Sequence, residues 1–231
     1  MKTIGLLGGL SWHSSLEYYR IINQAVQDRL GGAHSARCLL YSLDYAEVDA
    51  LERQNRWDDT AAIVLAAAQS LERGGADFLV ICTNTTHKLA DRVQAKIGIP
   101  ILHIADATAR AVRERGMQRV GLLGTRFTME EDFVRGRLAR STGLDVLVPP
   151  ASERELVNRV IYDELCAGVF RDEARRQFLD IMRGLVEAGA EGIILGCTEI
   201  GLLVPPDACP APAVDTARVH ALAAVDFALA E

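Results

Sequence analysis

The sequence predicts an α/β protein of two similar domains, each a parallel sheet flanked by helices. Three observations predict this. Short β-branched runs alternate with longer helical patterns along the whole chain, as strands joined by helical crossovers do. Segments of the first half recur in the second half in the same order. Several helical patterns stop at glycine, at Gly74, Gly98, Gly116, Gly168 and Gly189, which suits left-handed C-terminal caps.

In chain order, the apolar run Ile4-Gly5-Leu6-Leu7 gives a strand over 3–8, closed by Gly8-Gly9. A helical period near 15–30 follows, then a strand over 37–43 and a helix near 58–73. The continuous apolar stretch at 77–82 reads as a strand buried on both faces. A helix near 86–97 and a short strand over 99–104 complete the first half. The second half predicts helices near 106–115, 129–141, 153–167 and 171–188 around strands 119–124, 144–148 and 191–196. A last helix falls near 216–230.

The repeat has three parts. Ile4-Gly5-Leu6-Leu7-Gly8-Gly9 recurs as Val120-Gly121-Leu122-Leu123-Gly124-Thr125. The stretch from Gly74 to Thr83 recurs from Ala188 to Thr198, and the run from Pro100 to Asp106 is echoed from Pro210 to Asp215. Crossings near 100–105 and 205–214 then give a first domain of 1–100 plus 212–231 and a second of 101–211. The last helix returns to the first domain.

Composition narrows the function. Of the 231 residues 49% are hydrophobic and 24% charged, as in an ordinary globular protein. A formal net charge of −6 supplies no basic field for nucleic acid. The opening run is too short for a signal peptide, and no stretch approaches the roughly 18 apolar residues of a membrane span. Five widely spaced cysteines without a Cys-x-x-Cys pair suggest neither a zinc site nor a disulfide framework, so no metal is expected and the cytoplasm is the expected compartment.

In open α/β sheets ligands bind beyond the carboxyl ends of the strands. Two such ends per domain carry polar residues at matched places. One is the loop after the first strand, Gly8-Gly9-Leu10-Ser11 and Gly124-Thr125-Arg126-Phe127-Thr128. The other follows the buried strand, Cys82-Thr83-Asn84-Thr85-Thr86-His87 and Cys197-Thr198-Glu199. Hydroxyls and backbone N–H groups there suit a small carboxylate. The glycine spacing fits neither a dinucleotide fingerprint, a phosphate loop nor a nucleophile elbow, so no cofactor is expected.

Thr83-Asn84-Thr85-Thr86-His87, Gly196-Cys197-Thr198-Glu199 and Gly124-Thr125-x-x-Thr128 together resemble the aspartate/glutamate racemase family, over residues 1 to about 227. The likeness is nearest to its bacterial amino-acid racemase branch. It implies two similar domains related by a pseudo-twofold axis with the active site in the cleft between them, no pyridoxal phosphate or metal, two opposed proton carriers, and a homodimer. Cys197 matches the family's second catalytic cysteine and is the expected base on the L-enantiomer. The family's first motif is Cys-Asn-Thr, and here Thr83 precedes Asn84. Aligning Cys82-Thr83 with Cys197-Thr198 would instead make Cys82 the partner, but a one-residue slip in a strand turns a side chain to the other face. Thr83 is therefore the expected opposing proton donor. A cysteine suits the base role if helix N-termini lower its pKa.

Asn84, Thr85 and Thr86, with backbone donors near Leu10 and Ser11, are the expected α-carboxylate contacts. Thr125, Thr128, Thr198 and Glu199 are their counterparts in the second domain, and helix capping explains several of them equally well. Glu52 and Arg53 lie after the second strand, where family members contact substrate, and a solvated helix face explains them equally well. Some aspartate racemases carry a lysine where this chain reads Leu165-Cys166-Ala167-Gly168, so the range extends from L-aspartate and L-glutamate to a broader set of amino acids. Two other readings stand beside the racemase: an arylmalonate-type decarboxylase using one cysteine, and an inactive protein that binds a small acid.

Overall fold

The computed structural model describes residues 1–230. The chain divides into two compact units, residues 1–103 with 220–231, and residues 104–219.

In the first unit, β1 (Ile4–Gly8) lies between β2 (Cys38–Ser42) and β3 (Phe78–Ile81) in a parallel sheet. β1 and β3 are wholly buried, which is why they read as unbroken apolar runs. Each Leu or Ile buried there contributes about 1.5–3 kcal/mol. β2 is an edge strand, and its Leu40 and Tyr41 are exposed. α1 (Trp12–Leu30) turns Tyr18, Ile21, Ile22, Ala25 and Val26 to the core at helical spacing. α2 (Tyr45–Arg53) carries no long apolar period, burying only Val48 and Glu52, so the sequence pattern did not reveal it. Its start is fixed by Asp44, whose carboxylate accepts from the Ala46 N–H at 3.1 Å. α3 (Trp57–Arg73) follows.

The helix expected over 86–97 is a 3₁₀ turn, Thr85–Leu89, running into the short α4 (Ala90–Gln94). The strand expected over 99–104 is reduced to one bridge, Leu79 to Ile101. Pro100 has no N–H to donate, and α5 (Ile104–Glu114) begins at once. The left-handed cap after α3 is Gly75, with φ of 93°, while Gly74 is right-handed at −72°. Gly98 is not left-handed either; Gly116, Gly168 and Gly189 are, at 72°, 75° and 99°.

The second unit orders its parallel strands β5 (Asp145–Leu147), β4 (Arg119–Gly124), β6 (Gly192–Gly196) and β7 (Ala213–Asp215). Alternate residues of β4 and β6 face two apolar layers. Leu123, Ile193 and Leu195 pack with α8 (Ala151–Asp163) and α9 (Asp172–Glu187) through Val157, Phe178 and Met182. Val120, Leu122 and Ile194 pack with Ala109 and Val112 of α5 and with Leu138. The helix expected over 129–141 is broken into α6 (Arg126–Glu130), a π turn at Asp132–Gly136 and α7 (Arg137–Thr142), because Glu131 is extended at φ −95°, ψ 161°. The helix expected over 153–167 ends at Asp163, and 165–167 form a 3₁₀ turn. A four-residue α10 (Ile200–Leu203) follows β6.

β7 is a strand that the prolines at 210 and 212 concealed. Because it belongs to the second sheet, the return crossing lies at Val219–His220 and not near 212. The third part of the repeat is also shifted by two residues. Leu79 N–H donates to the Pro100 carbonyl and Ile193 N–H to the Pro212 carbonyl, so Pro100 corresponds to Pro212 and not to Pro210. α11 (Thr216–Leu229) then closes the first unit, where the Lys2 N–H donates to the Ala228 carbonyl at 2.8 Å and His220 is buried between Tyr18 and the Leu102 carbonyl.

Candidate active site

The repeat, read through the sheets, fixes which residues correspond. Leu7 of β1 lies beside Ile81 of β3, and its counterpart Leu123 of β4 lies beside Leu195 of β6. Counting on from Ile81 and Leu195, Cys82 matches Gly196 and Thr83 matches Cys197.

Burial follows that register. Cys82 is fully buried, and its Sγ turns back toward the Val80 carbonyl at 3.7 Å. Burial and the nearby Cys38 push its thiol pKa up, as expected of an inert core cysteine. Thr83 is half-buried. His87 holds the Thr83 carbonyl at 2.7 Å, which requires the Nδ1 tautomer as donor. Asn84, Thr85 and Thr86 are buried in the first turn after Thr83.

The β1 loop is built for close approach. Gly9 has φ of 78°, and a Cβ there would meet the Leu43 carbonyl oxygen at 2.1 Å. Its N–H donates to Ser15 Oγ at 2.8 Å, while Ser14 Oγ donates to the Cys82 carbonyl at 2.7 Å, tying the start of α1 to the end of β3. These two serines were not singled out in the sequence, where they read as ordinary helix residues. Leu10 is buried. Ser11 has a positive φ of 76°, and its hydroxyl is buried without a partner in place of capping α1. A strained serine with an unsatisfied hydroxyl beside a strand end is a feature of ligand sites.

Glu52 is buried, and its carboxyl pKa is pushed up to about 7, chiefly by burial and then by Asp49, against the pull of Lys88. A carboxyl whose pKa is higher folded than unfolded favours the fold below its unfolded value and loses that advantage as pH rises through about 7. Glu52→Gln is therefore expected to gain melting temperature over the parent at pH 8 and to show no gain at pH 5, read by paired thermal melts.

In the second unit, Thr125 caps α6, accepting from the Thr128 N–H at 3.3 Å. Thr128 is wholly buried, its hydroxyl 3.1 Å from that of Thr125. Gly124 and Gly196 lie side by side in the sheet, and a Cβ on either would collide with backbone within 2.8 Å. Cys197 follows, 8% exposed. Its Sγ donates to Glu199 Oε2 at 3.0 Å, and Thr198 Oγ1 donates to the same oxygen at 2.6 Å. Glu199 Oε1 is buried with no partner. The expectation of a lowered thiol pKa fails here: burial first, then Glu199 and Cys166, push Cys197 well above its ordinary value. The α10 helix beyond it is only four residues long, too short to bring a substantial dipole to the sulfur.

Among the described residues no group of three or more His, Cys, Asp or Glu is placed to hold a metal ion, and no described helix is long and apolar enough to cross a membrane.

Cys82→Ala should leave kcat and KM for any substrate within about twofold of the parent and cost about 1 kcal/mol of stability. Activity assays beside denaturant melts would show this. A folded but inactive Cys82→Ala protein would make Cys82 the reacting group.

A model of the Asp/Glu/Hydantoin racemase family matches residues 7–224. The chain is similar to a candidate Asp/Glu racemase from Yersinia pestis, at 47% identity and a TM-score of 0.91 over the whole of both chains. It is also similar to an aspartate racemase homologue from Pyrococcus horikoshii, at 32% identity and a TM-score of 0.83 over 99% of each. The broad specificity amino-acid racemase RacX of Bacillus subtilis is 22% identical over 98% of both chains. Two glutamate racemases from Leptospira borgpetersenii match at 28% identity, with 55% of this chain spanning 46% of their length.

Proposed function

This chain belongs to the Asp/Glu/hydantoin racemase family, and from that premise we propose that it inverts the α-carbon of a free amino acid without pyridoxal phosphate or metal. The observation that carries the reading is the register match of Thr83 with Cys197, each just past the end of the buried strand of its unit. Inversion through a planar carbanion needs a proton acceptor on one face and a donor on the other. Quasi-equivalent strand ends supply such a pair when both serve one substrate carbon.

Cys197 removes the α-proton of the L-enantiomer, and Thr83 returns a proton to the opposite face, directly or through water. Asn84, Thr85 and Thr86, with Leu10 and Ser11, receive the α-carboxylate. Ser11's unsatisfied hydroxyl supports this, because a ligand oxygen would complete it. Thr125, Thr128, Thr198 and Glu199 are the second unit's contacts with substrate, and Glu52 is a further contact from the first unit. Free L- and D-enantiomers have equal energy in water, so kcat/KM is the same in both directions. Any preference for L-substrate lies in unequal kcat and KM.

L-Aspartate and L-glutamate head the substrate panel, and the full-length similarity to the broad specificity racemase RacX widens it to other amino acids. The protein works in the cytoplasm as a homodimer. The exposed Trp12, Leu16 and Tyr19 along one face of α1, with Leu40 and Tyr41 on edge strand β2, support self-association. Chiral chromatography of each L-amino acid after incubation with purified protein, without added cofactor, tests the activity. The matching D-enantiomer should appear and approach an equal mixture. No D-enantiomer from any amino acid would overturn the reading.

A further inference from the structure

We infer that His87 is the positioning residue for Thr83: its ring N–H, braced by a cluster of buried rings, sets where the Thr83 hydroxyl stands. This rests on the reading of Thr83 as the proton donor opposite Cys197.

Thr83 lies in no regular element, since β3 ends at Ile81 and the 3₁₀ turn begins at Thr85. Side chains hold it instead. Ser14 Oγ donates to the Cys82 carbonyl at 2.7 Å, and His87 Nδ1 lies 2.7 Å from the Thr83 carbonyl. A carbonyl only accepts, so Nδ1 carries the hydrogen. Both peptide groups that flank the Thr83 Cα are thereby fixed. The rotamers open to a side chain follow from its backbone angles, so the bonds that fix the two peptides also direct the hydroxyl.

The His87 ring is itself braced. His103 meets it edge-on with centroids 4.6 Å apart, and His220 does so at 5.6 Å. His220 is fastened at both nitrogens, with Nε2 2.7 Å from the Leu102 carbonyl and Nδ1 2.8 Å from the Tyr18 hydroxyl. Nε2 therefore donates, and in the neutral ring Nδ1 accepts from Tyr18. Tyr18 belongs to α1, the helix that also carries Ser14. His87, His103, His220 and Tyr18 are all buried. Apolar rings would fill this core without the cost of burying imidazole nitrogens. What the imidazoles add is the donors aimed at the Thr83 and Leu102 carbonyls.

His87→Ala removes the donor and leaves the backbone bond from its own N–H to the Asn84 carbonyl. The kcat for inversion should fall about 100-fold with KM within about threefold, as a slightly misplaced reacting group predicts. Deuterium exchange into L-substrate should stay within about threefold of the parent, because Cys197 is untouched. In His87→Asn the amide nitrogen takes the place of Nδ1, and at least about tenfold of the loss should return. In His87→Gln the nitrogen falls at the place of Nε2, and nothing should return. On a Thr83→Ala background His87→Ala should cost less than about twofold more, since the group it positions has gone. Equal loss of exchange and inversion, no recovery with His87→Asn, or a full further loss on the Thr83→Ala background would each overturn the assignment. Should the variants not fold, nitrogen NMR of the parent's imidazoles decides. A hydrogen on His87 Nδ1 supports the assignment, and a bare Nδ1 overturns it. A parent that neither exchanges nor inverts any amino acid contradicts the racemase reading instead, and the same spectrum still reports whether His87 holds Thr83.

Discussion

Cys197→Ala should lower kcat for racemisation by about 10³-fold or more, with the fold intact. The side chain is small, 8% exposed and at the end of β6, so alanine leaves a modest gap beside Ile200 and Leu195. Its neighbour Glu199 would lose its sulfur donor, yet Thr198 still donates to the same oxygen. The chemical consequence is larger than the structural one. Without a proton acceptor the α-proton of an L-amino acid stays in place, so both inversion and deuterium exchange are lost together. Steady-state rates beside circular dichroism separate this from unfolding.

Thr83→Ala should reduce inversion about 100-fold while leaving exchange of the L-substrate in place. Cys197 still removes the α-proton, its thiol still trades hydrogen with solvent, and deuterium returns to the face it left. Deuterium thus enters L-amino acid that keeps its configuration, a product that a purely structural defect would not yield. The loss of kcat/KM is the same from L and from D, because the equilibrium constant in water is fixed at one. Thr83 is half-buried, and its carbonyl stays held by His87, so the loop should keep its shape. Equal loss of exchange and inversion would mean that Thr83 positions the substrate and is no proton donor.

Much of this was legible in the sequence for a definite reason. The fold class, the repeat and the strand ends follow from apolar runs buried on both faces, and such runs tolerate little polar substitution. The repeat alone set Cys82-Thr83 against Cys197-Thr198, and only strand periodicity opposed Cys82. What escaped was local. α2 buries too few apolar residues to show a period, and the break at Glu131 has no glycine or proline beside it. β7 is three residues behind two prolines. The Glu199 contact joins residues two apart where the chain leaves the sheet, so neither helical nor strand spacing announces it. Burial first, and Glu199 after it, reversed the expected direction of the Cys197 pKa. Burial with an adjacent carboxylate outweighs the field of a four-residue helix.

The most direct measurement is proton NMR of the purified protein in D₂O with L-aspartate, L-glutamate and neutral L-amino acids, without added cofactor, alongside chiral analysis of the same samples. If Cys197 and Thr83 serve one α-carbon, the α-proton signal of at least one substrate decays as its D-enantiomer accumulates, and Cys197→Ala abolishes both. An unchanged α-proton for every amino acid would contradict racemisation, directing attention to carbon dioxide release from malonates or to binding of a small acid without turnover.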